Sequence, residues 1–213
     1  MVDVDPAGRP EQAQRVTWIA GGALLLASVL SSGFLQAAWI PSLGALPMAL
    51  FAVAAALFAI GVGRAGSITA RKPLGTAALI LCGVWPLIAW LLIDPLLLRW
   101  APDGGWPLQA TPVLGLMISI VAVAQIARAG VVPAPWHLAP AWALGTVALR
   151  YALMFAPLGG AFGNDQEALL AFIAALGMVD AVALCFLGVV AIVLGARSAR
   201  PDAVPVFGSQ PLS

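Results

Sequence analysis

Charge is what this chain has least of. Only 9% of its 213 residues are Asp, Glu, Lys or Arg, and the formal net charge is +1. Soluble domains carry about 25% charged residues, so this chain cannot build a water-facing surface of ordinary composition. The near-zero balance also gives no field suited to nucleic acid, and no nucleic-acid partner is expected. Histidine occurs once, as His137 in a Pro-rich loop, and cysteine twice, as Cys82 and Cys185 inside apolar runs. There is no CxxC pair and no His–Cys cluster, so no metal site is expected, and the cysteines read as small buried hydrophobes. HExxH, GxSxG, a close carboxylate pair and a Gly-rich phosphate loop are all missing from the sequence. Nothing therefore points to an enzyme or to a cofactor.

What the chain has instead is apolar length. Hydrophobic residues make up 62%, and the mean hydropathy is +1.01. A soluble fold could not cover that surface, which makes the chain an all-α integral membrane protein. Backbone groups in lipid must be satisfied within the segment, so helices are the spanning element, and the alternating pattern of a barrel strand is absent. Six apolar runs approach the length of about 20 residues that a bilayer needs: 17–39, 44–63, 74–96, 109–127, 139–159 and 168–196. Pro/Gly-rich breaks such as WIPSLG, WAPDGGWP, VVPAPWHLAP and PLGGAFGND separate them. The expected organisation is a tail over 1–15, a six-helix bundle over 16–197 and a flexible tail over 198–213. The acidic and basic mixture of residues 1–15 and the long run after it do not fit a cleaved signal peptide.

Basic residues orient the bundle. Arg9, Arg15, Arg64, Arg71, Lys72, Arg128, Arg197 and Arg200 all fall on one side of the six runs. The other side has Arg99 alone, beside Asp103, Asp165 and Glu167. By the positive-inside rule both termini are expected in the cytoplasm. Nine arginines against one lysine, with abundant Ala, Gly and Pro, point to a GC-rich bacterial genome and so to a bacterial inner membrane. Trp18, Trp39, Trp100, Trp106, Trp136 and Trp142 lie near helix ends, where an aromatic belt is expected.

Two kinds of internal pattern stand out. RAGSITA (64–70) and RAGVVPA (128–134) share RAGxxxA, and PLGTAAL (73–79) and ALGTVAL (143–149) share LGTxAL. The simplest parse is three repeated two-helix hairpins in parallel orientation; chance similarity in an Ala/Leu/Gly-rich alphabet is the alternative. Small residues four apart, Ala55–Ala59–Gly63 and Gly177–Ala181–Cys185, mark expected stripes of close helix packing.

Polar residues inside the runs are where function would sit. A charge at the bilayer centre costs about 2.5–3.5 kcal/mol on insertion scales, so it faces the bundle interior or water and usually has a partner. Arg150, in ALRYALMF, and Asp180 fall at similar depth on consecutive helices. Their expected relation is a charge-assisted pair that fixes helix register. The alternatives are an arginine snorkelling to the interface, or a site for an ion, proton or anionic solute. Asp94, in LLIDPLLLRW, precedes Pro95, which disfavours helical geometry at the aspartate. It reads either as the end of helix 3 at the outer interface or as a Pro-broken helix lining a cavity. Ser28, Ser32 and Gln36 lie four apart on helix 1 and extend this polar set towards the outer leaflet; Gln125 is an exception near the cytoplasmic end. The expected function is a non-enzymatic membrane component or accessory subunit, in contact with the bilayer and with another membrane protein or a second copy of itself. The alternative is a small-solute or ion transporter using the polar cluster around Arg150 and Asp180.

Overall fold

The computed structural model describes residues 8–38, 43–62, 67–70, 72–100, 106–133, 136–155 and 165–197. Those residues form helices and short connections, with no strand among them. The helices are α1 (Gly8–Ala37), α2 (Ala45–Ile60), α3 (Pro73–Ile88), α4 (Asp94–Trp100), α5 (Trp106–Ala129), α6 (Ala139–Phe155) and α7 (Gln166–Arg197). A π-helical turn, Ala89–Ile93, joins α3 to α4 without a break. Four helical segments are long and apolar enough to cross a membrane: Gln12–Gln36, Pro73–Trp100, Ala110–Ala129 and Gln166–Arg197. The other two are shorter, 16 residues in α2 and 17 in α6.

The expected runs correspond to these helices with shifted ends. α1 starts at Gly8, well inside the expected tail, because hydropathy marks the membrane and not the helix. Pro10 in the first turn, followed by polar Glu11 and Gln12, is compatible with a helix start outside the apolar zone. Residues 1–7 and the expected tail 198–213 lie outside the described residues, as do Trp39, Arg64, Arg71, Asp103 and Arg200.

Helices pack against their neighbours in sequence, and α7 closes back onto α1. The closure rests on glycine. A Cβ on Gly22 would sit 2.6 Å from the Gly188 carbonyl oxygen, and one on Gly188 would sit 3.0 Å from the Gly22 carbonyl oxygen. Here two backbones touch, which is what small residues permit in lipid. Gly195 of α7 lies against Trp18, Ile19 and the Arg15 carbonyl, so the start of α1 and the end of α7 share one end of the bundle. At that end, hereafter the terminal end, the Thr17 hydroxyl accepts from Val62 N–H at 2.8 Å, and Lys72 Nζ donates to the Arg128 carbonyl at 3.4 Å. Arg15, Lys72, Arg128 and Arg197 are thereby gathered at one end.

The buried core lies in the same half. Trp18, Leu25, Ala54, Phe58, Ile68, Ile126 and Ala191 form it, and Trp18 meets Phe58 edge to face at 6.2 Å. Ala55 and Ala59 are buried as the small-residue stripe on α2 requires, with the Gly83 backbone pressed against Ala55; Gly63 lies outside the described residues. The stripe expected on α7 is corrected. Nothing lies within 4 Å of a Cβ on Gly177, and Ala181 and Cys185 are half-buried. The close approach occurs lower, at Gly188, Ala191 and Gly195, where α1 supplies glycine in return.

Candidate functional site

α6 and α7 bring the two deep charges together. Arg150 Nε lies 2.8 Å from Asp180 Oδ2, with side-chain exposures of 27% and 19%. The guanidinium carbon also sits 4.9 Å from the centroid of the Tyr151 ring, within cation–π range. An arginine inside ALRYALMF is therefore held by a carboxylate from the next helix and by the aromatic face beside it. The contact is ionic, with no hydrogen bond at Arg150 Nε. Asp180 Oδ1 is buried with no hydrogen-bond partner among the described residues. Arg150 stands eleven residues into α6, about 16 Å from its start at 1.5 Å per residue.

The remaining polar candidates do not join this pair by any hydrogen bond or ion pair among the described residues. Ser28 is buried and donates to the Pro47 carbonyl at 2.8 Å, which ties α1 to α2. Ser32 is half-buried and Gln36 exposed on the same helix. Gln125 packs its Cβ 3.3 Å from where a Gly75 side chain would begin. Asp94 corrects its own expectation. Its backbone is helical, at φ −62° and ψ −44°, and the helix runs on through Pro95 to Trp100. The π-turn makes this possible: Asp94 N–H reaches back to the Ala89 carbonyl, so the chain is already widened where the proline ring must fit. Asp94 is thus neither a helix end nor a break.

A polar constellation that sequence reading missed lies at the terminal end. Ser67 donates to the Ala59 carbonyl at 2.6 Å and meets Thr69 at 3.0 Å, and Thr69 meets Thr76 at 3.0 Å. Thr17, Ser67 and Thr69 are all buried. The Ser67 and Thr69 hydroxyls, both on the Ala59 carbonyl, and Ile68 N–H on the Phe58 carbonyl at 3.1 Å satisfy late carbonyls of α2, while Thr17 donates to the Ala13 carbonyl of its own helix. The available signal was the pair of hydroxyl residues in SIT, placed seven residues after the end of α2, whose last carbonyls need donors. A second missed tie joins α3 to α5 through Trp85 Nε1 and the Thr111 carbonyl at 3.1 Å.

Beside the ion pair, α6 and α7 leave a lateral groove of about 430 Å³. Trp142 and Thr146 line it from α6, and Met178, Val182, Ala183 and Phe186 from α7. Its lone hydroxyl, on Thr146, is turned back to the Ala143 carbonyl at 2.8 Å. Among the described residues no group of three or more His, Cys, Asp or Glu side chains is placed to hold a metal ion. Comparison with known proteins finds no matching family model, no matching curated protein and no matching solved structure.

Proposed function

We propose that this chain is a non-enzymatic component of a bacterial inner membrane, a six-span bundle with both termini in the cytoplasm that serves a structural or accessory role. The observation that carries this reading is the Arg150–Asp180 contact. The two charges most costly to place in lipid are used against each other, with Tyr151 covering the guanidinium. A pair arranged this way pins the register of α6 against α7. Chain direction supports six spans. α1 leaves the terminal end and α3 starts there, so α2 must carry the chain back. α5 ends there and α7 returns there, so α6 must carry it out again. The basic residues gathered at the terminal end support its cytoplasmic placement.

The test is a double-variant cycle in lipid nanodiscs. Arg150→Leu and Asp180→Leu are each expected to lower unfolding free energy by about 3–5 kcal/mol, while the double variant recovers most of the loss. Reconstituted vesicles are expected to show unchanged ion and small-solute flux with and without the wild-type protein. A flux that disappears in Arg150→Leu, in protein that still folds, replaces this reading with a transporter.

A further inference from the structure

We propose that α1 and α7 form a hinged pair that closes beyond the Gly22–Gly188 contact, bringing Gly33 against Gly177. This conformational change goes beyond the structural role argued above and does not depend on it. The two helices run antiparallel, and their contacts define a register. Gly22 and Gly188 meet backbone to backbone. Seven residues nearer the terminal end on each helix, Arg15 meets Gly195: the Arg15 carbonyl oxygen lies 3.2 Å from where a Gly195 side chain would begin. One register therefore holds at two levels.

Followed away from the terminal end, the same register reaches another pair of glycines. Gly33 lies eleven residues beyond Gly22 on α1, and Gly177 lies eleven residues before Gly188 on α7. Eleven residues make three turns and about 20°, so each glycine stays on the face that makes the lower contact. The rise over that stretch is about 16 Å on both helices. Yet nothing lies within 4 Å of a Cβ on either Gly33 or Gly177. The helices thus part beyond Gly22 and Gly188, and two matched glycines face open space. Glycine is the poorest helix former after proline, and in the parted arrangement neither position exploits its missing side chain. Closing the angle does exploit it, because paired small residues let two helices touch in lipid.

Packing decides which helix moves. α1 is tied to α2 along this stretch, by Ser28 on the Pro47 carbonyl at 2.8 Å and by buried Leu35. On α7 no residue from Gln166 to Val182 is buried. Asp180, three residues from Gly177, holds α6 to α7 through Arg150. α6 and the unburied half of α7 therefore swing together towards α1, with Gly22 and Gly188 as the pivot. In the closed form α1 covers the flank of α7 beside the ion pair.

The test uses the full-length chain in lipid nanodiscs, with the two free cysteines replaced as Cys82→Ala and Cys185→Ala. Nitroxides are placed at Phe34→Cys and Met178→Cys, positions 68% and 70% exposed near the level of Gly33 and Gly177. Pulsed double electron–electron resonance is expected to show two distances within one chain. The shorter is expected to lose about tenfold in population in Gly33→Leu, whose side chain blocks the approach but meets nothing in the open form. Gly145→Leu, equally unopposed but on α6, is expected to leave both populations unchanged. A single distance, or two that Gly33→Leu does not redistribute, overturns the proposal. In the same cysteine-free chain, Gly33→Cys with Gly177→Cys is expected to oxidise to a disulfide within one chain, which needs Cα atoms about 4.4–6.8 Å apart. A disulfide between two chains instead makes a second copy the neighbour of this glycine line and also overturns the proposal.

Discussion

The LGT sequence occurs twice, at Leu74–Gly75–Thr76 in α3 and at Leu144–Gly145–Thr146 in α6, and the two copies live in different surroundings. A Cβ on Gly75 would meet Thr69 at 3.2 Å and Gln125 at 3.3 Å, while one on Gly145 would meet nothing within 4 Å. Thr76 bonds Thr69 across the α2–α3 connection at 3.0 Å, while Thr146 bonds its own helix. The same contrast divides the molecule. α1, α2, α3 and the terminal half of α7 are packed backbone to backbone and stitched by hydroxyls. In α7 the identified buried residues start only at Ala183. In water the open half would be driven closed by its apolar area. In lipid that drive is absent, because hydrocarbon covers the surface as well as a neighbouring helix does. Small residues then allow contact without compelling it, and polar groups with a reachable partner decide which helices meet.

The strongest way to break this comparison is to enlarge the matched glycines. Gly75→Leu drives a side chain into Thr69 and Gln125 and is expected to cost about 1–3 kcal/mol or more, as overpacking does. Gly145→Leu points into open space and is expected to change stability by no more than about 0.5 kcal/mol. Denaturant titration in mixed micelles measures both. Equal losses would mean that the open flank is filled in the folded protein by something that also clashes with leucine.

Next in size are the matched threonines. Thr76→Val removes one member of the Ser67–Thr69–Thr76 chain and is expected to cost about 1 kcal/mol. Thr69 keeps Ser67 as a partner, which limits the loss. Thr146→Val deletes only a bond to its own helix, whose carbonyl remains engaged in the helical ladder, and is expected to be close to neutral. Hydrogen exchange of the Ile68 amide, bonded to the Phe58 carbonyl, is expected to speed up in Thr76→Val alone.

How much of this was legible from residues follows the same division. The helical class, the four helices among the six expected runs that are long and apolar enough to cross a membrane, and the charged pair were readable because each rests on scarcity. A lone arginine and a lone aspartate in neighbouring apolar runs have few other ways to be satisfied. Which face of each helix turns inward was not readable. With 62% hydrophobic residues, the helices are apolar all round, and the periodic contrast that marks a core face in a soluble helix is missing. Gly177 and Gly188 look alike in the sequence, yet only Gly188 finds a glycine opposite it on α1. Asp94 misled for another reason. The rule that a residue before proline leaves the helix assumes ordinary helical geometry, and the π-turn at Ala89–Ile93 relaxes that assumption.

The smallest test concerns Ser28, which sequence reading grouped with the deep charges and the structure assigns to the packed half. Its hydroxyl donates to the Pro47 carbonyl at 2.8 Å, across α1 and α2 and nineteen residues apart in sequence. Interhelical hydrogen bonds of this kind average about 0.6 kcal/mol and reach about 1.7. Ser28→Ala keeps the small volume that lets α1 and α2 approach, so it isolates the bond. A loss of about 0.6 kcal/mol is expected, and it is expected to add independently to the losses of Arg150→Leu, since distant sites without shared partners are additive to within about 0.5 kcal/mol. A coupling larger than that would place Ser28 in one polar network with the α6–α7 pair. The division into a stitched half and an open half would then be wrong at a residue where sequence and structure disagree about which half it serves.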